Sequence, residues 1–159
     1  MVGAFAVGKT SLVKRFVKGV FDERYLTTVG VKIDRKEVHL GDQQVNVMLW
    51  DLAGEDALSG VRLDYLRGAS GYVLVVDGTR PDTLDTAITL RTRIQGHLGG
   101  LPSVVAVNKS DLQDEWRIEQ ARLDTLREAG SMVVHTSAMS GEGVEPMFQG
   151  LVQGMLGRV

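Results

Sequence analysis

The chain has no cysteine among its 159 residues. That absence excludes disulfides, thiolate metal sites and thiol nucleophiles, and no C-terminal prenyl or palmitoyl anchor is expected. A dominant charge of one sign is lacking too: 18 Lys and Arg stand against 20 Asp and Glu, a formal net charge of −2. With acids and bases mixed along the chain, no basic surface invites nucleic acid and no polybasic tail invites anionic lipid. No run approaches the ~20 apolar residues of a membrane span. The first residues lack the charged region and apolar core of an export signal, so a cytoplasmic protein is expected. Internal repeats, low-complexity tracts and linkers are absent as well. What remains, 43% hydrophobic and 24% charged residues, suits a single globular domain over residues 1–159.

The most informative stretch is Gly3-Ala4-Phe5-Ala6-Val7-Gly8-Lys9-Thr10. It fits G-x-x-x-x-G-K-[ST], a loop whose backbone N–H groups wrap the phosphates of a nucleoside triphosphate. Gly3 and Gly8 permit tight turning and close approach, Lys9 supplies a point charge for the terminal phosphates, and the Thr10 hydroxyl can ligate Mg²⁺. Leu12, Val13, Phe16, Val17 and Val20 follow at helical spacing, which would set the phosphates at the positive end of a helix. Standing alone, the motif could be a glycine turn before an amphipathic helix.

Apolar runs then alternate with helical patterns, which favours an α/β parallel sheet. Val31 to Leu40 and Gln44 to Asp51 flank the turn signal Gly41-Asp42 and predict an antiparallel hairpin with Val45, Val47 and Leu49 on one face. Tyr72 to Asp77, Val104 to Asn108 and Met132 to Thr136 read as buried strands. Helices are expected from Asp82 to about Leu98, from Glu115 to Ala129 and from Val144 to Met155. The stripe Val144, Met147, Phe148, Leu151, Val152 and Met155 reads as core. Only Met1 and Val2 precede the loop, so the first strand looks truncated, through a shortened or misassigned start, or else abbreviated in a variant sheet.

Three further elements carry chemistry. Asp51, at a strand end before Leu52-Ala53-Gly54, can hold Mg²⁺ opposite the phosphate loop, while the Gly54 N–H can reach the terminal phosphate. The same pattern in isolation is an everyday turn. Asn108-Lys109-Ser110-Asp111 closes another strand, and a carboxylate there can accept from guanine N1–H and N2–H₂, donors that adenine lacks. Taken alone it could be a helix cap or turn. Thr136-Ser137-Ala138 ends a further strand, where backbone N–H groups could meet the guanine carbonyl.

In this order the elements resemble the Ras-like small GTPase superfamily, matching at Gly3 to Ser11, Thr28, Asp51 to Gly54, Asn108 to Asp111 and Ser137-Ala138. Phe21 to Tyr25, Thr28 to Val31, Tyr65 to Ala69 and Asp77 to Pro81 resemble the Rab branch and bacterial Rab-like proteins. The resemblance implies a P-loop NTPase small G domain: a mostly parallel six-stranded sheet with one antiparallel edge hairpin and helices on both faces. It implies a switch that binds GTP or GDP with Mg²⁺ and meets protein effectors through segments around Thr28 and Gly54. Gly3, Ala6, Val7, Gly8, Lys9, Thr10, Ser11, Thr28, Gly54, Asn108, Lys109, Asp111, Ser137, Ala138 and Met139 would contact nucleotide, and Thr10, Thr28 and Asp51 would serve the metal. Lys9 and Glu55 would serve catalysis.

The chain departs from that family at three positions. Glu55 stands where a glutamine usually orients the attacking water; an ionised carboxylate only accepts, and its charge opposes the terminal phosphate. Slow turnover is expected, although Glu55 could act as a base with a partner's help or be a solvated loop acid. Phe5 replaces a small residue and would either obstruct an activator's arginine finger or pack against the first switch or an N-terminal strand. Met139 replaces a lysine that often follows Ser137-Ala138, leaving the backbone contact intact.

Overall fold

In the computed structural model, residues 1–23, 30–53 and 63–157 are described. Strands β4 (Tyr72–Asp77) and β5 (Ser103–Asn108) form its centre. Both are unbroken apolar runs because both faces are covered. Val73, Val75, Val104 and Ala106 share one core with α1 (Lys9–Lys18) and α4 (Val144–Met155). Leu74, Val76, Val105 and Val107 share the other with α2 (Pro81–Leu98) and α3 (Gln120–Glu128). Phe16 of α1 stacks on Phe148 of α4 with ring centroids 4.0 Å apart, locking the first layer.

A parallel ladder joins β1 (Val2–Gly3), β4, β5 and β6 (Met132–His135) in that order. β2 (Val31–Leu40) and β3 (Gln43–Leu52) pair antiparallel from Val31↔Leu52 to Leu40↔Gln43, the hairpin expected from Gly41-Asp42. Among the described residues the expected six strands thus fall into two ladders, of four and of two. Met1 links them: its nitrogen donates to the Trp50 carbonyl (2.8 Å) and its carbonyl accepts from Leu52 N–H (3.4 Å). Bonds to the residues on either side of Asp51 are the parallel pattern, so β3 runs alongside β1. Beside this link β3 and β4 are separated by a cavity of about 420 Å³, lined by residues including Val45, Val47, Tyr72, Val73, Phe148 and Leu151. The carboxyl ends of β1, β3, β4, β5 and β6 consequently share one edge.

Two boundaries differ from expectation by more than one residue. α1 stops at Lys18, with Gly19 N–H returning to the Arg15 carbonyl, and Val20 is left exposed. α3 begins at Gln120 rather than Glu115, preceded by a 3₁₀ turn over Gln113–Glu115. Tertiary contacts hold the intervening segment extended. The Trp116 ring packs over Gly78 and stacks on His135, its indole N–H donates to the Ile118 carbonyl (3.2 Å), and Arg117 N–H bonds the Gly78 carbonyl (2.8 Å). Among the described residues no helix is long and apolar enough to cross a membrane.

Burial first, and the Arg127 charge second, hold the His135 imidazole below its ordinary value of 6.5. As pH falls through that value the unfolded chain therefore takes up the proton before the folded one, and stability falls with it. Urea midpoints should drop between about pH 7.5 and about pH 5.5, and His135→Phe should flatten the slope. An unchanged slope in the variant would assign the loss to other groups.

Candidate functional site

The loop between β1 and α1 is shaped by contacts that only glycine permits at two positions. Gly3 has φ +153°, and a Cβ there would lie 2.5 Å from the Val75 carbonyl oxygen. Gly8 has φ +102°, and a Cβ would lie 2.2 Å from Asn108 Nδ2. Lys9 is buried, and its Nζ donates to the carbonyls of Gly3 (3.2 Å) and Ala4 (2.8 Å), which hold the cation against the start of the loop. Ser11 follows in the first turn of α1. Thr10 Oγ1 reaches Asp51 Oδ2 at 2.5 Å, bringing a hydroxyl from α1 and a buried carboxylate from β3 to one point. Among the described residues there is no cluster of three His, Cys, Asp or Glu side chains able to hold a metal by themselves. A hydroxyl beside one carboxylate suits Mg²⁺, which takes few protein ligands and completes its shell with water and phosphate oxygens.

The end of β5 builds the neighbouring compartment. Asn108 is buried, its Nδ2 donating to the Val7 carbonyl (3.0 Å) and its Oδ1 accepting from Ala138 N–H and Thr136 Oγ1 (both 3.3 Å). One side chain thus ties the phosphate loop to the segment after β6. Lys109 adopts the left-handed φ of +68°, an uncommon conformation for a side chain with a Cβ. Asp111 Oδ1 accepts from Ser137 Oγ (2.7 Å), and Ser137 Oγ accepts in turn from Ser140 N–H (3.0 Å), which orients the carboxylate. Met139 is exposed, and its carbonyl accepts from Arg15 Nη2. Arg15 Nε also donates to the Ala138 carbonyl (2.7 Å).

Arg15, Asp77 and Arg80 are additions to the sequence-derived residues. Asp77, fully buried at the end of β4, accepts at Oδ2 from Lys109 Nζ (2.7 Å) and Arg80 Nε (3.0 Å). Its Oδ1 accepts from Thr79 N–H (2.9 Å) and Thr79 Oγ1 (2.7 Å). Burial pushes the Asp77 carboxyl up, but Lys109 and the two Thr79 donors outweigh it and hold it below the ordinary carboxylate range. Both cations also reach the loop: Arg80 Nη2 donates to the Phe5 carbonyl (2.8 Å) and Lys109 Nζ to the Ala6 carbonyl (3.4 Å). No local pattern announces these roles, because the acceptor of Arg80 in the phosphate loop lies 75 residues away and the acceptors of Arg15 at Ala138 and Met139 lie 123 and 124 away.

The Phe5 side chain is 51% exposed at the loop tip. Thr28, Gly54 and Glu55 lie outside the described residues. The other expected contacts, from Gly3 to Ser11, Asp51, Asn108, Lys109, Asp111 and Ser137 to Met139, gather at the carboxyl edge of the sheet.

The Ras family model matches residues 1–157. The chain is 35% identical over 161 residues to Ras-related protein RABA6a of Arabidopsis thaliana, covering 100% of this chain and 67% of the relative. It is 30% identical to Ras-related protein Rab-21 of Mus musculus, covering 98% of this chain and 71% of the relative. Identity to Ras-related protein Rab-13 of Bos taurus is 28%, over 98% of this chain and 78% of the relative. A match running from the phosphate loop through α4, on a sheet that gathers the loop, the Thr10–Asp51 pair and Asp111 at one edge, makes the chain a member of the Ras family, whose members are GTP-binding switches.

Proposed function

We propose that this chain is a cytoplasmic GTP-driven switch whose own hydrolysis of GTP is slow. The observation that carries the reading is the meeting of Thr10 Oγ1 and Asp51 Oδ2 at 2.5 Å beside the phosphate loop. There Mg²⁺ would take the Thr10 hydroxyl directly and Asp51 through water, with Thr28 added when the terminal phosphate is present. Loop amides at Ala6, Val7 and Gly8, together with Lys9, would neutralise the phosphates at the start of α1. Asp111 would accept from the N1–H and N2–H₂ of guanine, and backbone N–H groups of Ser137, Ala138 and Met139 would meet its carbonyl oxygen. Asn108 and Lys109 brace the base compartment against the loop, as their bonds to the Val7 and Ala6 carbonyls indicate.

The same terminal phosphate would offer ligands to Thr28, Gly54 N–H and the metal at once, so its departure releases two segments together. Effector proteins would read those segments. Glu55, acceptor-only and anionic, is poorly suited to orienting water, and the exposed Phe5 ring stands where an activator's arginine would approach. These two side chains also favour a second reading, a GTP-binding interaction module with little or no hydrolysis.

Single-turnover hydrolysis of bound GTP tests both readings. Glu55→Gln should raise the rate roughly tenfold, equivalent to ~1.4 kcal/mol of barrier. Phe5→Gly should respond to an added activator more than wild type does. A wild-type rate equal to that of both variants would remove the case for impaired turnover, and no turnover in any of them would favour the interaction module.

A further inference from the structure

Three consecutive carbonyls of the phosphate loop are held from outside. Arg80 Nη2 takes the Phe5 carbonyl (2.8 Å), Lys109 Nζ the Ala6 carbonyl (3.4 Å) and Asn108 Nδ2 the Val7 carbonyl (3.0 Å). In a trans peptide the carbonyl of one residue and the N–H of the next point in opposite directions. Tethering those three oxygens outward therefore turns the N–H groups of Ala6, Val7 and Gly8 toward the inside of the loop. Ala6 sits at φ 59°, the left-handed conformation through which successive amides converge on one anion.

Lys109 and Asn108 belong to the base-binding element. Arg80 does not, and nothing in the motif at Gly3 to Thr10 calls for it. We propose that Arg80 is a positioning residue for phosphate binding: it transmits the fixed place of the Asp77 carboxylate to the Phe5–Ala6 peptide and so aims the Ala6 N–H at the β-phosphate. The inference rests on the nucleotide-binding reading above. One feature fits Arg and not Lys. Nε engages Asp77 Oδ2 (3.0 Å) while Nη2 engages the Phe5 carbonyl, so one planar fork spans two acceptors. Asp77 is itself immobilised, since it is fully buried and its other oxygen accepts twice from Thr79. Asp77 Oδ2 also holds Lys109, so two neighbouring peptide planes of the loop are referenced to one oxygen atom.

Wild type, Arg80→Ala and Arg80→Lys should be compared by competition of GDP and GMP against a fluorescent GDP, together with the release rate of bound GDP. Release should quicken about tenfold in Arg80→Ala, the worth of one charge-assisted hydrogen bond. GMP lacks the β-phosphate, so its affinity should move less than about twofold and the preference for GDP over GMP should fall about five- to tenfold with it. Arg80→Lys should recover less than half of the loss, measured on a logarithmic scale, because lysine lacks the separate Nε and Nη2 donors that meet Asp77 Oδ2 and the Phe5 carbonyl. If GDP and GMP weaken in parallel, Arg80 supports the fold generally and the assignment is overturned. It is also overturned if GDP release in Arg80→Ala stays within twofold of wild type, or if Arg80→Lys restores wild-type behaviour. A wild-type protein that takes up no guanine nucleotide would instead remove the underlying reading.

Discussion

Gly8→Ala is expected to weaken GDP binding by ~10³-fold or more, a larger loss than removal of any single polar contact. Two costs combine. A residue with a Cβ held at φ +102° carries backbone strain of about 1–3 kcal/mol. The new methyl would also stand 2.2 Å from Asn108 Nδ2, an overlap that something must relieve. Asn108 is buried and bonded to the Val7 carbonyl, Thr136 and Ala138, so pushing it away breaks bonds on both sides. Each buried polar group left unpaired costs about 1–3 kcal/mol. Moving the loop instead would turn its amides away from the phosphates. Equilibrium titration with labelled GDP checks the expectation, and a Kd within tenfold of wild type would show that the loop and Asn108 are not so tightly coupled. Gly3→Ala meets a comparable obstacle in the Val75 carbonyl oxygen at 2.5 Å, which as backbone within the central ladder has little room to yield.

The contrast between Gly8 and Arg80 shows what the sequence makes visible. Gly8 belongs to a local motif whose spacing reports its own chemistry, and its conformation is the one the motif requires. Arg80 looks like a residue opening a helix before Pro81; its role depends on Phe5, which lies 75 residues upstream. The same division runs through the fold. β4 and α4 have the boundaries expected, Tyr72–Asp77 and Val144–Met155, because an apolar run covered on both faces and a continuous helical stripe each carry their packing in their own pattern. The start of α3 is displaced because Trp116 is claimed by Gly78 and His135, contacts that no local propensity expresses. The link between hairpin and sheet likewise depends on Met1 meeting β3, a pairing nearly fifty positions apart in the chain. Thr28, Gly54 and Glu55 rest on the resemblance and the spacing of their neighbours.

Asp111→Asn should exchange guanine for xanthine as the preferred base. The Asp111 carboxylate is aimed by Ser137 Oγ at 2.7 Å, and that hydroxyl is fixed in turn by Ser140 N–H, so the side chain is oriented before any base arrives. An ionised carboxylate accepts at both oxygens, which suits the paired donors N1–H and N2–H₂ of guanine. Asparagine keeps one acceptor and turns the other position into a donor. If its carbonyl oxygen keeps the Ser137 bond, its NH₂ faces the base and meets guanine N2–H₂ donor against donor. Xanthine carries a carbonyl at that position, and the contact becomes favourable. Hydrogen bonds to charged groups contribute about 1.5–3 kcal/mol each, so losing one and leaving the other to a neutral acceptor should cost GTP a factor of ~10²–10³ in affinity while XTP gains. Parallel titrations of both proteins with GTP and XTP separate this from general damage, since damage would weaken both nucleotides in both compartments. A variant that keeps the wild-type ratio of GTP to XTP affinity would mean that Asp111 braces Ser137 without reading the base, and the choice of guanine would then have to come from the backbone at Ser137, Ala138 and Met139.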